Sequence, residues 1–298
     1  MPTVAAGDLE CHYEEDYFGD PWISDPPVIL VQHGFQGSVA TFQKWIPGLA
    51  TRYRVIRRAL FAHDGTSSGR SDHDLSLDGL ADDLVTFLDA LGVGSVHFLG
   101  THTGAMSGIP LAVRHPDRVR SLALLDCPLR TSGLQTRLVQ NLPDDLRAKY
   151  PTWSDAIRGF GGYFAWYDGT RGSGGVADPV EKWQREALSR CDEAGLERYV
   201  AAMRSFDTER YLAEVAVPTL IMALTGSTVT TLDDQLRMRQ GIPDAEISVV
   251  EDSERAGTRG SQRGSEARMV QMAPSEPDLA ARYLSFLDAR FPRAGGAA

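Results

Sequence analysis

The chain has 298 residues and 42% hydrophobic content, enough to bury a large core in one α/β domain or in a domain carrying an insertion. Its formal charge of -10 supplies no electrostatic footprint for a nucleic acid or an anionic membrane surface. No apolar run approaches the roughly 20 residues that span a bilayer, and the opening MPTVAAGDLECHYEEDY has no basic region followed by an apolar stretch, so a soluble cytoplasmic protein is expected.

From Leu9 onward strand and helix signals alternate. LECHYEE alternates polar and apolar residues with period two, and PVILVQHG is a short apolar run of the kind that a doubly covered strand needs. SVATFQKWIPGLATR reads as a helix, RYRVIRRALF as a strand, and LDGLADDLVTFLDALGV as a helix with apolar residues three and four apart. The strand SVHFLG, the helix TGAMSGIPLAVRHP and the strand RSLALLDC follow. Such alternation predicts a mostly parallel sheet with helices on both faces, an α/β fold.

The rhythm breaks between 129 and 212. That stretch is rich in aromatic residues, among them Trp153, Trp166, Tyr167 and Trp183, and contains the glycine-rich link GTRGSGG. It reads as a helical cap inserted into the sheet domain. The strand VPTLIMAL, the helix DDQLRMRQGIP, the strand AEISVV and the helix EPDLAARYLSFLDARF restore the earlier order. The expected division is a core of residues 1–128 and 213–292, a cap of 129–212, and a disordered tail of 293–298.

The most distinctive stretch is HFLGTHTGAM, in which Gly100, Thr101, His102, Thr103 and Gly104 follow an apolar strand and open a helix. Together with ILVQHGFQGS, GRSD, RHPDRVRSLALLD and VPTLIMALTG, in that order, it resembles the α/β-hydrolase superfamily, in particular 3-oxoadipate enol-lactonases and related small esterases. The resemblance covers nearly the whole chain. It implies an α/β-hydrolase fold and three catalytic positions: a serine at the strand-to-helix elbow, an acid after VPTLIMAL, and a histidine before the last helix. Here His102 stands at the serine position, Ser227 at the acid position, and Met269 close to the histidine position.

Shifting the alignment does not restore the triad. The histidines are His12, His33, His63, His73, His97, His102 and His115, so none lies late enough to activate a serine. Ordinary serine hydrolysis is therefore excluded. The resemblance further implies an oxyanion hole built from the backbone N–H groups of Phe35 and Thr103.

An elbow projects its residue into a pocket, so His102 is the candidate catalytic base; the opposing reading is a relic of a lost serine. At a helix start the dipole disfavours its cation. Asp126, at the end of LALLD, is the candidate acid to orient the imidazole, or else a cap for the loop that follows. His33 is expected to shape the oxyanion loop. His63 and Asp64 lie in RRALFAHDGTSSGRSD, where the superfamily's RPDLRGHGRS pattern is expanded, and with Trp166 of the cap they are the candidate substrate contacts, the alternative for the loop being a solvated polar surface.

Cys11, Cys127 and Cys191 are odd in number and lack CxxC pairing, which argues against a disulfide framework or a zinc site; Cys127 reads as a buried small side chain. No metal or cofactor is expected. Three functions compete. One is proton-transfer chemistry of the lyase, isomerase or cyclase type, with His102 as base acting on a small apolar or aromatic substrate. The second is a catalytically dead homologue that binds a small molecule or a protein. The third is an atypical hydrolase with His102 as nucleophile or as base for water.

Overall fold

The apolar run at Val28–Gln32 is buried along its whole length, as a strand covered on both faces must be, and it lies near the middle of one mixed sheet. The computed structural model describes residues 2–35, 37–132, 148–149, 151, 190–225, 227, 230–250 and 277–292. Among these the strands are β1 (Thr3–Ala6), β2 (Leu9–Asp16), β3 (Val28–Gln32), β4 (Arg54–Arg58), β5 (Val96–Thr101), β6 (Val119–Leu125), β7 (Thr219–Leu224) and β8 (Ala245–Val250). Their order across the sheet is β1-β2-β4-β3-β5-β6-β7-β8. The first two pairings, β1 with β2 and β2 with β4, are antiparallel, and all the others are parallel.

The helices are α1 (Ile46–Leu49), α2 (Leu77–Ala90), α3 (His102–Arg114), α4 (Glu193–Ala202), α5 (Leu232–Gly241) and α6 (Pro277–Arg290). The start of α2 is set by Ser76, whose hydroxyl accepts from the Gly79 N–H, and its apolar spacing buries Leu80, Leu84, Phe87 and Leu88. With Met106 and Ile109 of α3 these residues pack on Leu30, Phe98 and Leu122. The opposite face of the sheet is covered by Trp45, Leu49, Leu279, Tyr283 and Leu287 against Ile29, Val31, Leu99 and Met222. Two apolar layers thus hold the carboxyl ends of β3, β5, β6 and β7 in register.

Two local departures from the sequence reading have simple causes. The strand β1 was not foreseen; it pairs with β2 across a turn at Gly7, whose φ of +63° suits glycine. The helix expected over SVATFQKWIPGLATR divides into a 3-10 turn, Val39–Phe42, and the short α1. Pro47 has no N–H and fits in the first turn of a helix, not in its interior, so a new helix starts there.

Between β6 and β7 the chain leaves the sheet. The described part of that segment contains α4, the 3-10 segments Met203–Ser205 and Glu209–Glu214, and an isolated bridge between Arg130 and Asp207. No strand among these described residues joins the sheet. Trp166 and the tail 293–298 lie outside the described residues. Among the described residues, no helix is long and apolar enough to cross a membrane.

Candidate active site

The elbow is built by close backbone approach. Strand β5 ends at Thr101 and α3 begins at once with His102, whose φ is +51°. A left-handed conformation at a residue with a Cβ is disfavoured and persists only where the surroundings impose it. The surroundings here are glycines. A Cβ on Gly104 would lie 2.1 Å from the His33 carbonyl oxygen, and one on Gly34 would lie 2.8 Å from both the His102 Cβ and the Thr101 carbonyl oxygen. Only glycine at 34 and 104 lets the loop after β3 press against the start of α3.

His102 faces the end of β6. Its Nε2 lies 3.1 Å from Oδ2 of Asp126, a carboxylate with no solvent exposure, while the His102 side chain retains 14%. Asp126 is itself left-handed, with φ +47°, and its N–H donates to the Met222 carbonyl across the sheet. Ser227, beyond the end of β7, donates its hydroxyl to the same Asp126 Oδ2 at 2.7 Å. The Thr230 N–H in turn donates to the Ser227 oxygen at 3.2 Å. The ends of β5, β6 and β7 therefore supply a connected histidine, aspartate and serine. Ser227 occupies the position where the resemblance implies an acid, and it hydrogen-bonds to the acid that stands one strand away. Met269 lies outside the described residues.

The two backbone donors that the resemblance assigns to an oxyanion hole are not equivalent. The Phe35 N–H donates to the Thr103 hydroxyl oxygen at 2.9 Å, so this donor is engaged by the protein itself. Phe35 stacks on Tyr199 of α4, with ring centroids 6.1 Å apart, and meets the His63 ring edge-on at 5.7 Å. The Tyr199 hydroxyl faces Thr103, and burial pushes its titration upward. A residue of the segment between β6 and β7 thus reaches the elbow.

The remaining candidates are held by the protein. His33 receives the Leu60 N–H at Nε2 and donates from Nδ1 to the Gly34 carbonyl, which fixes the oxyanion loop; burial pushes its pKa down to about 4. His63 is fully buried, its Nδ1 donates to the Phe61 carbonyl at 2.8 Å, and burial lowers its pKa to about 3. The loop that follows is not a solvated surface: Asp64 and Thr66 are buried. One oxygen of Asp64 accepts from the Val39 N–H at 3.1 Å and the other from Arg190 Nε at 2.8 Å. Its carboxylate therefore ties the start of the Val39 turn to the chain just before α4, with both oxygens in use. Cys127 is buried, and burial followed by the Asp126 charge pushes its thiol well above the ordinary range, so it is no thiolate nucleophile.

Family comparison agrees with this architecture. The model of the alpha/beta hydrolase fold family matches residues 27–256. The chain belongs to the α/β-hydrolase family. Among curated relatives, a protein of Azorhizobium caulinodans named "Putative carbamate hydrolase RutD" is 30% identical over 254 residues, covering 84% of this chain and 90% of the relative. A protein of the same name from Agrobacterium fabrum is 24% identical and covers 76% and 85%. Among solved structures, the enol-lactonase of Burkholderia xenovorans LB400 superposes with a TM-score of 0.67 at 20% identity, covering 96% of this chain and 99% of the other. This last likeness concerns the fold.

For an α/β-hydrolase the departures at this site were only partly readable. His102 and Asp126 are visible in the sequence because strand ends are visible. The Ser227 hydroxyl on Asp126 was missed, since nothing local says that two strand ends lie within hydrogen-bond reach. The filling of the Phe35 N–H by Thr103 was missed as well, although a β-branched hydroxyl directly after the elbow residue is the signal that could have raised it.

Proposed function

We propose that this protein is an enzyme in which His102, oriented by Asp126, acts as a general base on a small apolar or aromatic substrate, in a proton-transfer reaction of the lyase, isomerase or cyclase type. The observation that carries the reading is the 3.1 Å contact between His102 Nε2 and the fully buried Asp126. A relic histidine needs no acid partner. The imidazole accepts a proton from a substrate C–H or O–H, and the buried carboxylate stabilises the imidazolium that forms. The proton returns to product at a second atom.

The aromatic surroundings support the substrate class. Phe35 retains partial exposure on the loop that presses against the start of α3, backed by Tyr199 and by a His63 ring that burial keeps neutral. Trp166 belongs to the same proposal as a cap contact. With the Phe35 N–H engaged by Thr103, the Thr103 N–H is the readier of the two backbone donors for the developing anion.

A second reading is favoured by the relatives, whose printed name is that of a carbamate hydrolase. In it His102 activates water for attack on a carbamate. Both readings use the same base, and both are tested together. The purified protein is incubated in D2O with a panel of enolisable ketones, enol lactones and carbamates, and followed by NMR for deuterium incorporation, rearrangement or hydrolysis. His102→Ala should cost about 10²–10⁴ in turnover, the usual range for a positioned base, with little change in affinity. Full activity in that variant, on whichever compound the wild type converts, refutes both.

A further inference from the structure

The Thr230 N–H can only donate, and it points at the Ser227 oxygen from 3.2 Å. That directs the Ser227 O–H onto Asp126 Oδ2, 2.7 Å away, and makes this oxygen an acceptor. His102 Nε2 meets the same oxygen at 3.1 Å and so supplies its N–H. A neutral imidazole carries one N–H, which leaves Nδ1 as the lone-pair nitrogen. The other Asp126 oxygen, Oδ1, is buried and has no hydrogen-bond partner among the described residues, where the ordering of this carboxylate runs through Oδ2.

We infer that Ser227 is a positioning residue, which fixes the Asp126 carboxylate through Oδ2 and thereby the tautomer of His102, and that the reacting atom of the site is Nδ1 of His102. The inference deepens the general-base reading and rests on it for its catalytic meaning. The tautomer itself is a property of the resting protein. Where the superfamily resemblance implies an acid at the end of β7, this chain keeps a hydroxyl there and places the carboxylate at the end of β6, next to the elbow.

Without the Ser227 hydroxyl the carboxylate keeps its charge but loses the hydrogen bond that fixes Oδ2, and it can turn. The loss of one such hydrogen bond should shift the ratio of Nε2–H to Nδ1–H forms by about fivefold or more. An amide at 126 is turned by the same Ser227 O–H, which needs an acceptor, so that its carbonyl oxygen takes the Oδ2 place facing His102 and its NH2 group takes the Oδ1 place.

The experiment reads the ring nitrogens directly. Long-range 15N–1H correlation spectra of the 15N-labelled full chain, above the titration of its histidines, report the tautomer of His102, assigned by loss of its signals in His102→Ala. The expected wild-type result is a predominant Nε2–H form. Ser227→Ala should lower the tautomer ratio, Ser227→Thr, which keeps the hydroxyl, should leave it as in the wild type, and Asp126→Asn should keep the Nε2–H form predominant, an inversion there meaning that Ser227 does not orient the group at 126. If Ser227→Ala does not fold, Ser227→Thr and Asp126→Asn still decide the matter.

A second readout is alkylation of the native protein with iodoacetate. The Nδ1 lone pair displaces iodide, and the carboxymethyl isomer on His102 should be the Nδ1 product. A wild-type Nδ1–H tautomer, an Nε2-alkylated product, or an unchanged ratio in Ser227→Ala overturns the inference. Failure of the general-base reading looks different, since His102→Ala would then keep full turnover whatever the tautomer proves to be.

Discussion

Three histidines that the fold buries in neutral form should make the stability of this protein fall steeply as the solution is acidified. Burial lowers His33 to about 4, His63 to about 3 and His97 to about 4. Each folded value lies below the ordinary histidine value of about 6.5, so between those limits the unfolded chain binds more protons than the folded one, and acid favours unfolding. At pH 5 the deficit is nearly one proton per group. Three such groups give a slope of about 4 kcal/mol per pH unit, and integration from pH 7 to pH 5 gives a loss of about 5 kcal/mol. That is of the order of a whole domain's stability.

His73 acts in a separate window. Its ring is held between Asp83 at 2.9 Å and Asp8 at 2.8 Å, and the bond to Asp83, outweighing partial burial, raises its pKa. Its contribution is therefore complete below the ordinary histidine value and is lost as pH rises through the folded value. Asp8 and Asp82 are lowered and lose their contributions only at more acid pH. Stability should thus peak near neutrality and drop below pH 6. Urea unfolding at half-unit intervals from pH 5 to 8 measures the curve, and His63→Gln should remove about one third of the acid slope. A flat profile between pH 5 and 7, or an unchanged slope in the variant, refutes the reasoning.

Three further outcomes follow from the site. Fluorophosphonate probes should leave the wild type unlabelled, and His102→Ser should stay inactive as an esterase, because Ser227 and Met269 supply neither acid nor histidine; stoichiometric labelling of a serine at the elbow would contradict this. Asp64→Ala should destabilise by about 1–2 kcal/mol, since it leaves the Val39 N–H without its buried acceptor and removes the carboxylate that Arg190 meets, and hydrogen exchange should rise first in α4; a change under about 0.5 kcal/mol would contradict this. Gly104→Ala places a methyl group 2.1 Å from a backbone carbonyl oxygen, so urea unfolding should register a cost of about 3 kcal/mol or more, and a neutral result would mean that the elbow is looser than described.

The mostly parallel sheet, the helices on its faces and the elbow were legible in the residues because they rest on local rules, whereas the order of the strands was not. A strand covered on both faces must be apolar throughout, as Val28–Gln32 is, and a helix on the sheet must repeat its apolar residues at three and four, as Leu77–Ala90 does. The absence of a histidine beyond His115 needs no coordinates at all, and it is the reason a serine mechanism is not expected. Which polar groups meet is another matter. Asp126 and Ser227 are 101 positions apart and touch only because β6 and β7 are parallel neighbours in register. Asp64 and Arg190, 126 positions apart, meet where the chain just before α4 docks on the loop after β4. Hydrogen bonds act over about 3 Å and carry no periodicity along the chain, so although Asp126 could be named from its strand end, the Ser227 hydroxyl on it and the Arg190 contact to Asp64 became visible only once packing had brought these segments together.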